Sequence, residues 1–375
     1  MITPDAPAEK RGSAVSRASL LAYLLLIIYA SWFPFSGWRG SGLSPFIFLN
    51  TTMPQYWTGF DVVVNIIGYI PLGMLFALAV YPRVHGILAI LLASVLSMLV
   101  SGTVEAVQTY LPSRVPSNLD FFTNSAGGFM GAVIGAFGAR SYLDESRLYR
   151  LRQRLFAQQA SHGLVLLALW PLAQIYPQPY LFGHGQILPI LSNWLSRLLD
   201  TNVDLIALLR PGAEMSVEQY WLSETIITAC GMTGAVLTLL CIARRGAPRA
   251  LLVAGLLIAA VVVKALASSL FFTPENAFVW VTPGAQGGFL IGLIMVSGLA
   301  FAPHVAQRRL AAVTLVLSLL VVNTIPVNPY FSATLSGWVQ GKFLNFNGAA
   351  QFLSLMWPFF ALWFLLLPSH KLNRQ

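Results

Sequence analysis

Seven polar side chains between residues 61 and 124 interrupt otherwise apolar sequence: Asp61, Asn65, Glu105, Gln108, Arg114, Asp120 and Asn124. Their types could do acid–base or binding chemistry. A carboxylate held in a water-poor pocket serves as a general base, so Glu105 and Asp120 are the catalytic candidates. A guanidinium grips a phosphate or carboxylate through parallel bonds. Arg114, Asp61, Asn65, Gln108 and Asn124 are therefore the binding candidates. Their spacing is helical: Asp61 with Asn65, Glu105 with Gln108, and Asp120 with Asn124 form three same-face pairs. The pattern Asp61-x3-Asn65-x2-Gly68 recurs as Asp120-x3-Asn124-x2-Gly127. That recurrence reads as a parallel repeat of two helical hairpins whose polar starts meet.

Plainer roles for the same residues stay open. Aspartate at a helix start is a good cap and suits the dipole. Asn65, Gln108 and Asn124 could be hydrogen-bond glue between membrane helices. Glu105 resists that reading. It closes a helix, where the dipole disfavours a carboxylate, and it follows a long apolar run. Arg114 is the nearest cation in sequence and could supply a bidentate pair; Glu105 is expected within salt-bridge or water-bridged reach of Arg114 or of the amide side chains.

The elements that position these groups follow from composition. Of 375 residues, 57% are hydrophobic and 9% charged, with mean hydropathy +0.71. A soluble domain carries roughly 25% charged residues. The fold class is therefore all-α, a polytopic integral membrane protein. A crossing helix needs roughly 20 apolar residues, which gives about ten spans. They start near Arg17, Val62, Gly86, Phe121, Gly163, Glu224, Ala250, Ala285, Leu310 and Ala349. The first reads as a retained signal anchor, without a small-x-small cleavage site. A leucine-rich stretch from Leu188 to Leu209 has helical period and reads as one amphipathic helix on the membrane surface. Aromatics Trp38, Phe46, Phe48, Tyr56 and Trp57 are expected at headgroup level. On the fourth helix, Gly127, Gly131 and Gly135 form a small-x3-small ridge for close packing. Pro71 and Gly73 are expected to kink or loosen the second.

The net charge of +9 does not point to nucleic acid, because the basic residues sit in short turns between apolar runs. With the N-terminus inside, the outer segments hold Arg39, Arg114, Arg197, Arg210 and Lys342. Lys264 lies within a span, with a bland reading as a snorkelling side chain. The other sixteen of the 22 basic residues are inside. This bias orients both termini of a multi-pass membrane protein to the cytoplasm. All seven polar residues then face outward. Cys230 and Cys241 share one span and cannot bridge across it. The histidines are scattered, no spacing suggests zinc, and no glycine-rich nucleotide loop occurs, so no metal or cofactor is expected.

The ordered set Asn65-x5-Pro71-Leu72-Gly73, Glu105-x2-Gln108, Arg114, and Asp120-x3-Asn124 with Gly127 and Gly131 resembles the VanZ family of bacterial membrane proteins. The resemblance covers roughly residues 20 to 140. It implies a VanZ-like four-span domain over 17–140 in the bacterial inner membrane; the span reading adds a cytoplasmic tail over 1–16, a basic cytoplasmic linker over 141–160 and a six-span domain over 161–375. The family takes its name from a protein linked to resistance against the glycopeptide teicoplanin. It implies a domain rather than a reaction. In the later spans Glu224-x3-Thr228-x2-Gly231 faintly echoes the repeated pattern.

Two functional classes follow. One is an envelope protein whose outer polar pocket takes a cell-wall, lipid-linked glycan or glycopeptide ligand. In an enzyme of that class Glu105 or Asp120 would be the base and Arg114 the anion holder. The other is a transporter or flippase, which would want polar groups near mid-bilayer and broken helices in both halves. The partners are thus the lipid bilayer and an envelope ligand. The orientation has a direct check: an engineered Ser113→Cys is expected to label from outside intact cells, and Gln375→Cys only after permeabilisation. Outside labelling at 375 would reverse the topology.

Overall fold

A computed structural model describes residues 14–33, 35–40, 42–54, 57–143, 147–157, 160–178, 180–209, 215–271, 278–325 and 344–367. Tyr56, Arg210, Lys342 and Gln375, named above, lie outside them, as do the basic residues nearest both termini. Among the described residues the secondary structure is helical, with one isolated bridge between Phe156 and Ala243 and no strand. Two compact units divide the chain, Met1–Gln153 and Arg154–Gln375.

The first unit contains α1 (Ala14–Trp32), α2 (Gly59–Val80), α3 (Gly86–Gln108) and α4 (Asn118–Leu143), followed by α5 (Arg147–Leu155). The second holds α6 (Ser161–Ala173), α7 (Leu188–Leu199), α8 (Leu205–Leu209), α9 (Val217–Ile242), α10 (Arg249–Phe271), α11 (Pro283–Leu299), α12 (His304–Thr324) and α13 (Leu344–Leu366). Among the described residues seven helices are long and apolar enough to cross a membrane: α1, α2, α3, α9, α10, α12 and α13. Helices α6 and α11 are apolar but shorter. A helix stands at each of the ten expected span positions, but α4, at the fourth, is neither one of these seven nor one of the two shorter apolar helices. Outward-facing side chains such as Ile87, Leu88 and Leu91 on α3 are exposed, as a lipid-facing surface requires.

In the first unit α2 and α4 pack backbone to backbone. A Cβ on Gly127 would strike the Ile66 carbonyl, one on Gly131 the Ile70 carbonyl, and one on Gly135 the Met74 backbone and Ala77. The register rises together along both chains, so the helices run parallel. Gly73 meets the Gly128 backbone. It is a packing glycine, and α2 runs unbroken through Pro71. Helix α3 runs antiparallel to α4, with Ser97 against Gly128. The buried core joins Tyr69, Leu72, Phe76 and Ala77 of α2 to Ala93 and Ala132, and Leu20, Tyr23 and Ile27 of α1 pack onto it. Tyr23 Oη donates to the Gly68 carbonyl at 2.7 Å.

The second unit uses the same device. Helix α9 is its buried axis, and Gly284, Gly288 and Gly292 of α11 press against Trp221, Thr225 and Ala229 in rising register. Glu224 is 3% exposed and accepts from Thr282 Oγ1, the N-cap of α11, at 2.6 Å. The expected surface helix is two pieces. Asp200 ends α7 in the left-handed region, and the side chains of Ser196 and Ser192 then catch the amides of Val203 and Leu205. Trp194 and Leu198 remain exposed on it. Cys230 and Cys241 are free.

The glycine contacts make opposite predictions at two positions. Gly131→Ala should cost about 1–3 kcal/mol by forcing α2 and α4 apart. Gly68→Ala meets nothing within 4 Å and should be neutral or stabilising, since alanine is the better helix former. Thermal unfolding of both variants checks this; equal destabilisation would contradict the packing.

Candidate functional site

The site is built around the N-terminus of α4. Ser117 precedes the helix, and its Oγ accepts from the Asp120 amide at 3.3 Å. Glu105, in the last turn of α3, is 2% exposed, and its Oε2 accepts from the Ser117 amide at 2.9 Å. This resolves its awkward position. The carboxylate is at the negative end of its own helix, but it answers the positive end of the neighbouring one. Asn65 on α2 donates from Nδ2 to Asp120 Oδ1 at 2.8 Å, tying the two parallel helices together. One turn deeper Asn124 donates from Nδ2 to Ser101 Oγ at 3.2 Å. Tyr69, one turn beyond Asn65, puts its hydroxyl within electrostatic reach of Ser101, Glu105 and Asp120. Tyr69 Oη and Asn124 Oδ1 are both buried without a hydrogen-bond partner. Orphaned groups of this kind cost about 1–3 kcal/mol each unless something satisfies them.

Gln108 and Arg114 do a different job. The C-terminal carbonyls of α1 have no intrahelical partners. Gln108 Nε2 donates to Ser31 O at 3.0 Å. Arg114 donates from Nε to Phe33 O at 3.1 Å and from Nη2 to Ala30 O at 3.1 Å and Phe33 O at 2.6 Å. A cation there also suits the dipole of α1. Burial lowers the Arg114 pKa from its ordinary value, yet a guanidinium stays charged. The pairing of Arg114 with Glu105 expected from sequence proximity is thus replaced by two separate helix-end contacts. Asp61 forms a capping box with Thr58 and is exposed at the start of α2.

A roof covers the polar end. The α1–α2 connection carries a 3-10 turn, Ile47–Asn50, that touches α3 and α4. Phe48 is 1% exposed and packs on Phe121 with centroids 5.7 Å apart. It is an anchor of this roof, whereas Trp38, Phe46 and Trp57 are exposed. Asn118 Nδ2 donates to Thr51 O at 2.7 Å, and Thr109 Oγ1 to Pro45 O at 3.3 Å.

The seven sequence candidates therefore fall into three groups. Asn65, Glu105, Asp120 and Asn124 form the buried cluster; Gln108 and Arg114 dress α1; Asp61 caps its own helix. The repeated pattern does not give symmetric partners, since Asn65 reaches Asp120 while Asn124 reaches Ser101. Tyr69, Ser101 and Ser117 were missed. Same-face spacing would have found the first two, at Asn65+4 and Glu105−4, and the Ser-x2-Asp capping pattern the third. Among the described residues no group of three His, Cys, Asp or Glu could hold a metal. Carboxylates, an amide oxygen and a phenol can receive hydroxyl or amine protons, and the phenol can donate one.

Arg114 gives a prediction about architecture. Arg114→Met should lower stability by about 3 kcal/mol, because charge-assisted hydrogen bonds to α1 are lost. Arg114→Lys should recover little of it, having no planar fork. The exposed Arg39→Met should be near neutral. Recovery by lysine would mean that charge alone matters.

The family model described as VanZ/LLP1 matches residues 20–138. No curated protein and no solved structure matches the chain. The match takes in α1, α2, α3 and most of α4, with the buried cluster inside it. Residues 20–138 are a VanZ/LLP1-family domain of a membrane protein, and the chain continues past it into further apolar helices.

Proposed function

We propose that the buried polar cluster of the VanZ-like domain is an outward-facing pocket for a cell-envelope ligand, and that its headgroup is rich in hydroxyls or amines. A lipid-linked glycan, a cell-wall glycan or a glycopeptide has that chemistry. The observation that carries the reading is the pair of orphaned atoms, Tyr69 Oη and Asn124 Oδ1, buried beside Glu105 and Asp120. Helix capping alone would not need them, for Thr58 and Ser117 already cap α2 and α4. The positive-inside bias supports the outward orientation. Asp120, half-buried, would meet the ligand first, and Glu105 would lie behind it. In an enzymatic version either carboxylate accepts a proton from the ligand hydroxyl. Arg114, engaged on α1, supports the pocket wall in this reading.

A transporter or flippase is the second reading. Largely buried non-helical backbone at residues 174–178 and 180–187 in the second unit favours it, because broken helices line transport sites. Liposome flux of a fluorescent lipid-linked sugar separates the two: binding without flux supports the envelope-ligand pocket, and flux supports transport.

Isosteric variants test the pocket. Asp120→Asn keeps size and an oxygen to accept from Asn65 Nδ2, with Ser117 still capping α4, so it should leave expression near wild type, and Glu105→Gln keeps size and hydrogen bonds. Both are expected to abolish binding of a short-chain polyprenyl-linked disaccharide to the purified protein, and with it any envelope phenotype. Full binding by both variants at equal expression would assign the carboxylates to structure alone.

A further inference from the structure

Between α6 and α7 the described residues, 174–178 and 180–187, leave helical geometry yet stay largely buried. Asn323 of α12 makes this tolerable. Its Nδ2 donates to Gly185 O at 2.8 Å, and its Oδ1 accepts from the amides of Ile187 and Leu188 at 2.8 and 3.0 Å. The segment carries Gln174, Gln178 and His184, which are 2, 5 and 4% exposed. Gln174 Nε2 lies 2.6 Å from His184 Nε2, and His184 Nδ1 lies 3.2 Å from Gln178 Oε1. An amide nitrogen only donates. The ring proton therefore sits on Nδ1 and points at Gln178. His184 also lines a small cavity with Phe182, Ser318 and Trp357.

Lys264 of α10 reaches this cluster. It is 4% exposed, so it does not snorkel to an interface. Its ammonium has three donors, and among the described residues it makes one hydrogen bond, to the Gln178 backbone carbonyl at 3.5 Å, the outer limit for such a bond. Among the described residues no carboxylate pairs with it. Glu224, a buried acid of the same unit, is bound to Thr282. A buried charge without a counter-charge is strongly unfavourable, and an ionisable residue inside a membrane helix marks a site by default. Among the described residues no group supplies the missing negative charge.

We propose that Lys264, with the wall formed by Gln178 and His184, is an anion-binding site of the C-terminal unit that takes a carboxylate or phosphate group. Such a group has enough oxygens to receive the two idle ammonium protons, and its charge completes the buried cation. The site is independent of the VanZ-like pocket. The phosphate of an anionic lipid headgroup and a free phosphate or carboxylate share this chemistry.

The test uses the full-length purified protein and three probes: inorganic phosphate, acetate, and bicelles containing phosphatidylglycerol in place of phosphatidylcholine. At saturating anion the wild-type Tm should rise by about 5 °C. Lys264→Met should lose the rise, and Lys264→Arg should keep it. Without anion Lys264→Met should be at least as stable as wild type, because a well-packed apolar side chain replaces an unpaired charge. A rise with the soluble anions assigns a free ligand, and a rise only with phosphatidylglycerol assigns a lipid headgroup; either supports the site. No rise in the wild type with any probe overturns it, and so does an equal rise in Lys264→Met. If Lys264→Met does not fold, Lys264→Gln takes its place, and the wild-type result stands by itself.

Discussion

The close parallel contact of α2 and α4 is the constraint on which the first unit depends. Lipid tails give apolar helices no hydrophobic reason to associate, so backbone approach through small residues must do it. Gly127, Gly131 and Gly135 allow that approach. Parallel packing has an electrostatic cost, because it sets two positive helix ends side by side. Three carboxylates answer it: Asp61 on α2, and Asp120 and Glu105 at the start of α4. The polar cluster is therefore a consequence of the packing as well as its use. A membrane fold that must neutralise two adjacent helix starts has, in the same place, the acceptors a polar headgroup would want.

The second unit solves the same problem with other residues. Glycines of α11 lie on α9, again in parallel, and a buried glutamate meets the N-cap of the glycine-bearing helix. Glu105 and Glu224 thus do equivalent electrostatic work in each unit. The faint pattern Glu224-x3-Thr228-x2-Gly231 marks this helix contact only partly: Thr228 Oγ1 donates to the Leu181 carbonyl, and Gly231 lies against Phe182.

Much of this was legible in sequence. Apolar runs placed ten helices, and the small-x3-small ridge of α4 named its own packing face. Helical spacing put Asn65, Glu105, Asp120 and Asn124 on inward faces. What failed was proximity in sequence used as proximity in space. Arg114 follows Glu105 closely, but the returning loop carries its guanidinium to the end of α1. Side chains with an ordinary identity, such as Tyr69 and Ser101, drew no notice because tyrosine and serine are unremarkable in membrane helices. Lys264 looked like a snorkelling residue because its place near a helix end allows that; its burial and its contact with the Gln178 carbonyl show otherwise. Backbone that is irregular and buried leaves almost no local signal, since Asn323, more than a hundred residues away, satisfies it.

The central claim is that a ligand headgroup completes the cluster beside Glu105. The most direct measurement is a high-resolution structure of the protein extracted gently from its native membrane. The account predicts a glycan or amine-bearing headgroup hydrogen-bonded to Tyr69 Oη and Asn124 Oδ1, beneath the Phe48 roof. Ordered water alone at both atoms, with the roof closed over it, would contradict it.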